Sequence, residues 1–242
     1  MRIGIFSDIH GNFEALEAVL KYFKDNHIYK YICLGDIVGY GPNPNECVEA
    51  VKGLKCPVVL GNHDYVAIGK GDVSLFNVTA RNAIEWTQKQ LTRENLDFLR
   101  TLPFIYRTKQ LIAVHSTPRE PERWEYVLTM DAALQNMEYY TEPVCFIGHS
   151  HAPFFLELDP EGKPQLIRDN PMIIKDKYRY MVNVGSVGQP RDNNPKSAFA
   201  LYDTTQKTVT LLRVPYDIAI TQEKIIKAEL PIQLAQRLQN GF

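Results

Sequence analysis

Five of the six histidines in this chain lie at or just after the end of a short apolar segment. Together with neighbouring acidic and amide residues they form five clusters: Asp8-Ile9-His10, Gly35-Asp36, Gly61-Asn62-His63-Asp64, His115-Ser116 and Gly148-His149-Ser150-His151. A short apolar run that stops at glycine and polar residues predicts a buried strand followed by a loop. In an open α/β sheet, ligands bind at the carboxyl ends of the strands. The pattern therefore predicts an α/β fold whose strand ends deliver polar side chains to one edge.

The first third of the chain alternates strands with helices. We predict strands at Arg2–Phe6, Tyr31–Leu34 and Val58–Leu60, and helices at Phe13–Asn26 and Pro44–Gly53. Apolar residues recur at helical spacing in the first of these helices, whereas the strands are short and almost wholly apolar. This order of elements is typical of a parallel sheet that is buried on both faces.

The middle of the chain, residues 73–102, is predicted to be helical, and the second half is predicted to consist mainly of strands. These strands are Ile105–Arg107, Leu111–His115, Val144–Ile147, Phe154–Leu158, Tyr180–Asn183, Ala198–Asp203 and Thr208–Arg213. A helix at Met130–Tyr139 interrupts them, and Asp217–Gln239 is predicted to be helical with a break at Pro231. Because no repeat or long linker divides the chain, we expect one domain that spans residues 1–242.

The charge of the chain limits the class of partner. The 27 Lys and Arg residues nearly balance the 28 Asp and Glu residues, so the formal net charge is −1. A protein that binds nucleic acid usually carries a basic surplus or a basic stripe, and this sequence has neither. We therefore do not expect a nucleic-acid partner, whereas a small phosphorylated substrate is compatible with this charge.

The apolar segments are too short for targeting or membrane insertion. None approaches the roughly 18 apolar residues that a membrane helix needs, and Asp8 stops the N-terminal run before it reaches the length of a signal peptide. Cys33 and Cys145 lie inside apolar runs, where a cysteine usually behaves as a small core residue. We expect a cytoplasmic protein with no membrane partner, and no pattern indicates an oligomeric state.

The five polar clusters combine carboxylate, amide and imidazole groups. Such groups are ligands for divalent ions such as manganese, iron and zinc, and they would make a poor thiolate or all-oxygen calcium site. Two aspartates, one asparagine and four histidines are too many ligands for one four-coordinate ion, so we predict two ions that share a carboxylate. Two ions about 3.5–4 Å apart can bind a phosphoryl oxygen and lower the pKa of water.

Taken in order, the motifs D-x-H, G-D-x-V, G-N-H-D, a lone histidine after a strand, and G-H-x-H resemble the calcineurin-like metallophosphoesterase superfamily. The segment from Gly185 to Asp192 extends the likeness, which covers nearly the whole chain. The resemblance is greatest to small prokaryotic members related to diadenosine tetraphosphate hydrolases. It implies a four-layer αββα sandwich, in which two packed mixed β-sheets are flanked by helices.

The resemblance also implies the ligands of a dinuclear metal centre. The residues implied for the first ion are Asp8, His10 and His151. Those implied for the second ion are Asn62, His115 and His149. Asp36 would bridge the two ions.

Two residues of the G-N-H-D motif are implied to be catalytic. His63 would donate a proton to the leaving oxygen or bind a phosphate, and Asp64 would hold the His63 ring in its useful tautomer. One position departs from the family pattern, because Ser116 stands where glycine is common. We expect this serine to leave the ligand His115 intact and to narrow the pocket.

Four further residues are predicted to contact the substrate: Arg191, Gln189, Tyr40 and Arg119. Arg191 follows a glycine-rich turn, and its planar fork of donors suits a phosphate. The loop after His115 also contains Arg123, Trp124 and Tyr126. Two interpretations of that loop stay open: a basic and aromatic wall for a nucleotide base, or an ordinary loop packed by its own aromatic residues.

The expected activity is that of a metal-dependent phosphoesterase, which hydrolyses a phosphate ester or phosphoanhydride through attack by a metal-bridging hydroxide. A dinucleoside polyphosphate is the first candidate substrate. Two Mn²⁺ ions are the first choice of metal, with Fe, Zn or Ni as alternatives. Two other functions stay open: a phosphodiesterase or nuclease that acts on cyclic nucleotides or nucleic acid, and a scaffold that kept the fold and lost catalysis.

Overall fold

The computed structural model describes all residues, 1–242, and contains eleven strands and eight α-helices. The strands are β1 (Arg2–Phe6), β2 (Tyr31–Cys33), β3 (Ile105–Arg107), β4 (Leu111–Val114), β5 (Val144–Ile147), β6 (Phe154–Leu158), β7 (Pro164–Ile167), β8 (Met172–Ile173), β9 (Arg179–Asn183), β10 (Ser197–Asp203) and β11 (Thr208–Val214). The helices are α1 (Phe13–Asp25), α2 (Pro44–Gly53), α3 (Asn62–Ala67), α4 (Val78–Gln90), α5 (Arg93–Arg100), α6 (Met130–Met137), α7 (Ile218–Lys227) and α8 (Ile232–Leu238). None of these helices combines the length and the apolar character needed to cross a membrane.

The strands form two mixed sheets. The first sheet has the order β2-β1-β10-β11-β8, with β1 and β2 parallel and the other pairs antiparallel. The second has the order β3-β4-β5-β9-β6-β7, in which β4, β5 and β9 run parallel to one another. Each sheet therefore contains a parallel part whose strand ends point the same way, and the polar clusters follow those ends.

Three apolar cores separate the layers. One lies between the sheets, a second between the first sheet and helices α1 to α5, and a third between the second sheet and α6. Strand β5 shows how the residues divide: Val144 and Phe146 enter the core between the sheets, whereas Cys145 and Ile147 enter the core under α6. Since both faces of the strand are covered, its apolar run is continuous. The layers confirm the predicted αββα sandwich of two mixed sheets.

The predicted elements agree with the structure within one or two residues at most ends, with three differences. The predicted strand Val58–Leu60 is wrong, because only Val58 forms a single bridge, to Cys33. Helix α3 was not predicted, since its six residues include the polar Asn62, His63 and Asp64 and show no apolar periodicity. The short strands β7 and β8 were also missed. All four cysteines are free, and Cys33 and Cys145 are buried.

The core between the sheets depends on Phe146, whose ring centroid lies 5.6 Å from that of Tyr202 in the opposite sheet. We expect Phe146→Ala to lower the free energy of unfolding by about 3–5 kcal/mol, because truncation leaves a cavity at a fully buried position. Urea unfolding followed by circular dichroism measures this change. Ile173→Ala, at a strand residue that is 64% exposed, is the control and should alter stability by less than about 0.5 kcal/mol. Equal effects of the two substitutions would contradict the assignment of this core.

Candidate metal centre

The loops that follow β1, β2, β4 and β5 are joined to one another by backbone hydrogen bonds. The amide of Asp8 donates to the carbonyl of Gly35 at 3.0 Å, and the amide of Gly148 donates to the carbonyl of His115 at 2.9 Å. The amide of Gly188, which follows β9, donates to the carbonyl of Asp8 at 2.9 Å and so links the two sheets. Strand ends from both sheets therefore meet at one place.

These loops turn sharply at residues that carry functional side chains. The residues with positive φ there are Asp8 (55°), His10 (51°), Asp36 (51°), His149 (64°) and His151 (59°). Residues other than glycine rarely adopt the left-handed conformation, and each such residue costs on the order of 1–3 kcal/mol. The neighbouring contacts must offset this cost, and the turns direct the side chains of different loops toward one another.

Asp8 and Asp36 each use one carboxylate oxygen to accept a backbone hydrogen bond. Asp8 Oδ2 accepts from the amide of His149 at 3.1 Å, and Asp36 Oδ1 accepts from the amide of His63 at 2.8 Å. The second oxygen of each carboxylate points to imidazoles. Asp8 Oδ1 lies 3.1 Å from Nε2 of His151, and Asp36 Oδ2 lies 3.3 Å from Nε2 of His115. Asp8 Oδ1 is buried and has no hydrogen-bond partner.

Four of the buried histidines are oriented by backbone carbonyls. The contacts are His10 Nδ1 to Val38 O at 3.2 Å, His115 Nδ1 to Leu34 O at 2.8 Å, His151 Nδ1 to Gln189 O at 2.5 Å and His149 Nε2 to Trp124 O at 2.9 Å. A carbonyl only accepts, so each of these ring nitrogens donates its proton. In the neutral ring, the opposite nitrogen then carries a lone pair directed into the centre. A backbone carbonyl bound to the other ring nitrogen typically accompanies metal-binding histidines.

The inward-directed atoms lie close enough to repel one another. Nε2 of His10 is 3.0 Å from Nε2 of His151, and Nε2 of His115 is 3.2 Å from Nδ1 of His149. The amide oxygen of Asn62 lies 3.1 Å from the same His115 nitrogen. Two opposed lone pairs at such distances require a positive charge between them, either a proton or a metal ion.

The donor atoms fall into three groups, each of which could hold a metal ion, with all ligand atoms of a group within 4.8 Å of one another. The groups are Asp8 with His10 and His151, Asp36 with His115 and His149, and Asp36 with His10 and His63. Asp36 belongs to two of them, as expected for a bridging carboxylate. The orphaned Asp8 oxygen, the opposed nitrogens and the mixed oxygen and nitrogen donors fit two divalent ions.

The pKa shifts of the side chains at the centre also favour bound cations. Burial alone would raise the pKa of Asp8 and of Asp36, but the nearby histidines outweigh burial and hold the pKa of both carboxyls below the usual range. Burial would lower the pKa of His115, but Asp36 and Asp8 raise that pKa to about 9. Burial lowers the pKa of His149 to about 3. Two ionised carboxylates are thus enclosed with little hydration, and they attract cations strongly.

His63 differs from the other buried histidines of the centre. Its Nδ1 atom is buried without a hydrogen-bond partner, and no carbonyl fixes its tautomer. The ring packs between aromatic groups, with centroid distances of 4.4 Å to Tyr40, 4.8 Å to His10 and 4.8 Å to Phe76. Burial lowers the pKa of His63 to about 4 although Asp36 acts to raise it. The ring also lines a cavity, so this side chain faces both the centre and the substrate space.

The prediction that Asp64 holds the His63 ring is wrong. The Asp64 carboxylate accepts hydrogen bonds from the backbone amides of Ile37 at 2.9 Å, Val38 at 3.1 Å and Gly61 at 3.2 Å. His63 and Asp64 are successive residues of α3, and neighbouring side chains on a helix do not face each other. Asp64 instead joins the loop after β2 to the start of α3, and so positions Asp36 and His63 through the backbone.

Two motif glycines allow the carboxylates to approach the backbone. A Cβ atom at Gly61 would lie 2.1 Å from Asp36 Oδ1, and a Cβ atom at Gly148 would lie 2.4 Å from Asp8 Oδ2. Both separations are far shorter than real Cβ contacts, so any side chain there would displace the carboxylate. The glycines of the G-N-H-D and G-H-x-H motifs are therefore required by the positions of Asp36 and Asp8.

A cavity of about 650 Å³ opens beside the centre. It is lined by aromatic residues that include Tyr65, Trp124 and Tyr126, and by the charged residues Lys70, Asp72, Glu122, Arg123, Arg191 and Arg237. The ring of Tyr126 stacks on His149 at a centroid distance of 4.0 Å. The volume of the cavity lies in the range typical of small-molecule sites. The loop after His115 thus contributes a wall to this space.

The four residues predicted to contact the substrate do not all lie at the cavity. Arg191 and Tyr40 line the cavity, and Gln189, which is buried, accepts a hydrogen bond from Arg191 Nη2 at 2.9 Å through its side-chain oxygen. Arg119 does not line the cavity. Its guanidinium is drawn to Glu120 at 3.6 Å and lies over the ring of Tyr139 at 5.7 Å.

The structure corrects the expectation for Ser116 and adds Arg237, which was not singled out from the sequence. The hydroxyl of Ser116 donates to the carbonyl of Pro121 at 3.1 Å, so it closes the following loop and does not narrow the pocket. Arg237 lines the cavity although it lies in the last turn of α8, 46 residues after Arg191 in the chain. In the sequence, the only indication that Arg237 reaches the cavity is that it neighbours Leu234 and Leu238, whose side chains are buried.

We expect Gly61→Ala to weaken Mn²⁺ binding by about 10- to 100-fold, the usual effect of disturbing a group that orients a metal ligand. Gly53→Ala is the matched control, because a Cβ atom there meets nothing within 4 Å. Titration calorimetry with Mn²⁺ measures the affinity, and circular dichroism checks that both variants fold. Unchanged Mn²⁺ affinity in the Gly61 variant would show that Asp36 is not a ligand.

Residues 1–207 match the calcineurin-like phosphoesterase superfamily domain. The chain is 42% identical over 243 residues to an uncharacterised protein from Methanocaldococcus jannaschii, with 99% of this chain and 98% of that protein covered. It is 30% identical over 169 residues to a protein from Chromohalobacter salexigens named symmetrical bis(5'-nucleosyl)-tetraphosphatase. That similarity covers 65% of this chain and 60% of the relative's length.

A solved structure agrees over the whole molecule. The crystal structure of a metallophosphoesterase from Sphaerobacter thermophilus matches this fold with a TM-score of 0.88 at 40% sequence identity, covering 100% of both chains. These similarities confirm the resemblance that the motifs indicated. The chain belongs to the calcineurin-like phosphoesterase superfamily and is a metal-dependent phosphoesterase, that is, a hydrolase.

Proposed function

We propose that this enzyme hydrolyses a phosphoanhydride bond of a small nucleotide, with a dinucleoside polyphosphate as the first candidate, and that it uses two divalent cations. The observation that carries the proposal is the set of inward-directed lone pairs at the centre. One cation would be held by Asp8, His10 and His151, and the other by Asn62, His115 and His149, with Asp36 between them. Mn²⁺ is the first choice, because the mixed oxygen and imidazole donors suit it and thiolate ligands are absent.

When bound, two such cations polarise a phosphoryl oxygen and lower the pKa of water from about 15.7 toward about 7. The protein side chains supply orientation. The carbonyls of Leu34, Val38, Trp124 and Gln189 hold the imidazoles, and the backbone amides of His63 and His149 hold the two carboxylates. Little reorganisation is then needed when a phosphate enters, and such preorganisation favours a charged transition state.

His63 is proposed to act on the leaving oxygen. A Cβ atom at Gly39 would lie 2.4 Å from Nδ1 of His63, so this edge of the ring is packed against the loop after β2. The Nε2 edge is left for the substrate, where it can donate a hydrogen bond to a phosphoryl oxygen. The negative charge of a bound phosphate would raise the low pKa of this ring, so that the protonated ring can give a proton to the departing group. A donor in this position contributes about 10²- to 10⁴-fold to rate.

The cavity supports a nucleotide as substrate. Trp124 and Tyr65 line the cavity with their ring centroids 5.6 Å apart, and Phe104 packs against Trp124 at 5.7 Å. Stacking of a base on such a ring is worth about 1–3 kcal/mol. Arg191, which also lines the cavity, has the planar donors that bind phosphate. The name of one relative, symmetrical bis(5'-nucleosyl)-tetraphosphatase, refers to a substrate of this kind.

Because the centre takes ligands from both sheets, we also propose a single domain over residues 1–242.

The proposed function is tested with diadenosine tetraphosphate and the Mn²⁺-loaded enzyme, with separation of the product nucleotides by chromatography. We expect turnover that a chelator abolishes, and we expect Asp36→Asn to lose both turnover and bound metal while remaining folded. Asp25→Asn, at an exposed helix residue, is the control and should behave as the wild type. Cyclic nucleotides, nicked DNA and p-nitrophenyl phosphate are assayed beside it. Turnover that persists in the Asp36 variant with a chelator present would refute the metal-dependent mechanism.

The role of His63 makes a separate prediction about leaving groups. His63→Asn should lower kcat by about 10²- to 10⁴-fold for an ester with a poorly acidic leaving alcohol. The loss should be much smaller for p-nitrophenyl phosphate, because p-nitrophenolate departs without protonation. Metal content is measured in parallel, and His27→Asn at an exposed histidine serves as the control. An equal loss on both substrates would assign His63 to binding, not to proton transfer.

A further inference from the structure

The last two helices reach the cavity although they lie outside residues 1–207, which carry the family match. Apolar residues of α7 and α8 pack with Tyr40 and with α4 in one buried cluster. The hydroxyl of Thr221 in α7 lies 3.1 Å from Oδ1 of Asn12, directly after the loop that contains Asp8 and His10. The helix pair is therefore fixed against the centre and is not a loose extension.

Helix α8 brings a second guanidinium next to Arg191. Arg237 Nη1 donates to the side-chain oxygen of Gln189 at 3.1 Å, and Arg191 Nη2 donates to the same oxygen at 2.9 Å. Arg237 Nε donates to the main-chain oxygen of Phe242 at 2.7 Å, which fixes the plane of the guanidinium group. Two positive side chains are thus held side by side by one amide oxygen.

Neither of these two arginines is paired with an Asp or Glu side chain. No side-chain carboxylate lies within 4.0 Å of either guanidinium, whereas Arg213 nearby forms an ion pair with Asp192. Arg191 Nε is buried and has no hydrogen-bond partner. Burial and the charge of Arg191 both lower the pKa of Arg237. Two half-buried positive charges that repel each other form a site for an anion of more than one charge.

The position of the pair relative to the metal centre identifies the group that it would bind. Arg191 Nη2 donates to the hydroxyl of Tyr40 at 3.3 Å, and the Tyr40 ring packs on His10 and His63 at centroid distances of 4.6 and 4.4 Å. The guanidinium pair is therefore one tyrosine ring away from the centre. A phosphoryl group at the pair would be adjacent in the substrate to the one that is attacked.

We propose that Arg191 and Arg237, joined by Gln189, bind a second phosphoryl group of the substrate, so that the enzyme selects compounds with two or more phosphates in series over monoesters. This inference rests on the proposed function, because it takes the metal centre as the place of the attacked phosphorus. It makes Arg237 of the C-terminal helix pair a specificity-determining residue.

The test compares two phosphonates that are not hydrolysed: methylphosphonate with one phosphoryl group and methylenediphosphonate with two. Titration calorimetry on the Mn²⁺-loaded protein gives a dissociation constant for each. We expect the wild type to bind methylenediphosphonate more tightly, and we expect Arg237→Ala to reduce this preference about tenfold. Chelation of free Mn²⁺ is the same for variant and wild type, so the ratio between them reports the protein.

Two further variants test whether the preference depends on the planar guanidinium or only on positive charge, and unfolding measurements exclude an effect on folding. Lys227→Ala removes the same charge from an exposed residue of α7 and should keep the preference. Arg237→Lys retains the charge and one donor for the main-chain oxygen of Phe242, and should lose an intermediate part of the preference. Thermal unfolding of each variant checks the helix pair.

Three outcomes would overturn the inference: no preference in the wild type, an equal loss of affinity for both phosphonates in Arg237→Ala, or the same loss of preference in Lys227→Ala. The result is independent of turnover. If the Mn²⁺-loaded enzyme hydrolyses no nucleotide, the proposed function fails, but the preference between the two phosphonates still tests the arginine pair.

Discussion

Buried lone pairs that face one another at the centre of this molecule are the constraint on which the rest of the structure depends. Carboxylate oxygens and imidazole nitrogens lie about hydrogen-bond distance apart with few protons to share between them, as for His10 and His151. Such a group is tolerated only if positive charge is supplied and each donor is held in place. The surrounding fold supplies the second condition through carbonyls and amides of neighbouring loops, and cations supply the first.

The sandwich of two sheets explains how so many donors reach one point. The first sheet contributes Asp8, His10 and Asp36 from the ends of its parallel strands, and the second sheet contributes His115 and His149. Because each strand is buried on both faces, its position is fixed by apolar packing and not by the polar loop that follows it. The loops can then adopt left-handed turns at a local cost that the cores offset. The buried strands thus provide stability, and the loops that follow them provide the side chains of the metal centre.

Much of this arrangement could be predicted from the sequence, because short apolar strands and the polar residues that end them are local patterns. The four-layer fold and the residues that meet at the centre follow from these patterns and from the family resemblance. The remainder depends on long-range geometry. Asp64 was paired with the adjacent His63, whereas two of its three amide partners lie in the loop after β2. Arg119 was placed by proximity in sequence. Arg237 belongs to none of the sequence motifs, and only the packing of α8 brings it to the cavity.

The histidine anchors have a thermodynamic consequence. The carbonyl that orients His115 belongs to Leu34, the residue before Gly35, and the carbonyl that orients His149 belongs to Trp124 in yet another loop. Each of these two histidines thus depends on a segment next to a different donor, since Leu34 precedes Asp36 and Trp124 follows His115. Occupancy of the centre and the order of these loops then form one linked equilibrium, in which ligation stabilises the native state in proportion to the logarithm of free cation concentration. Through that linkage, the supply of cations would govern the folded fraction of the enzyme as well as its rate.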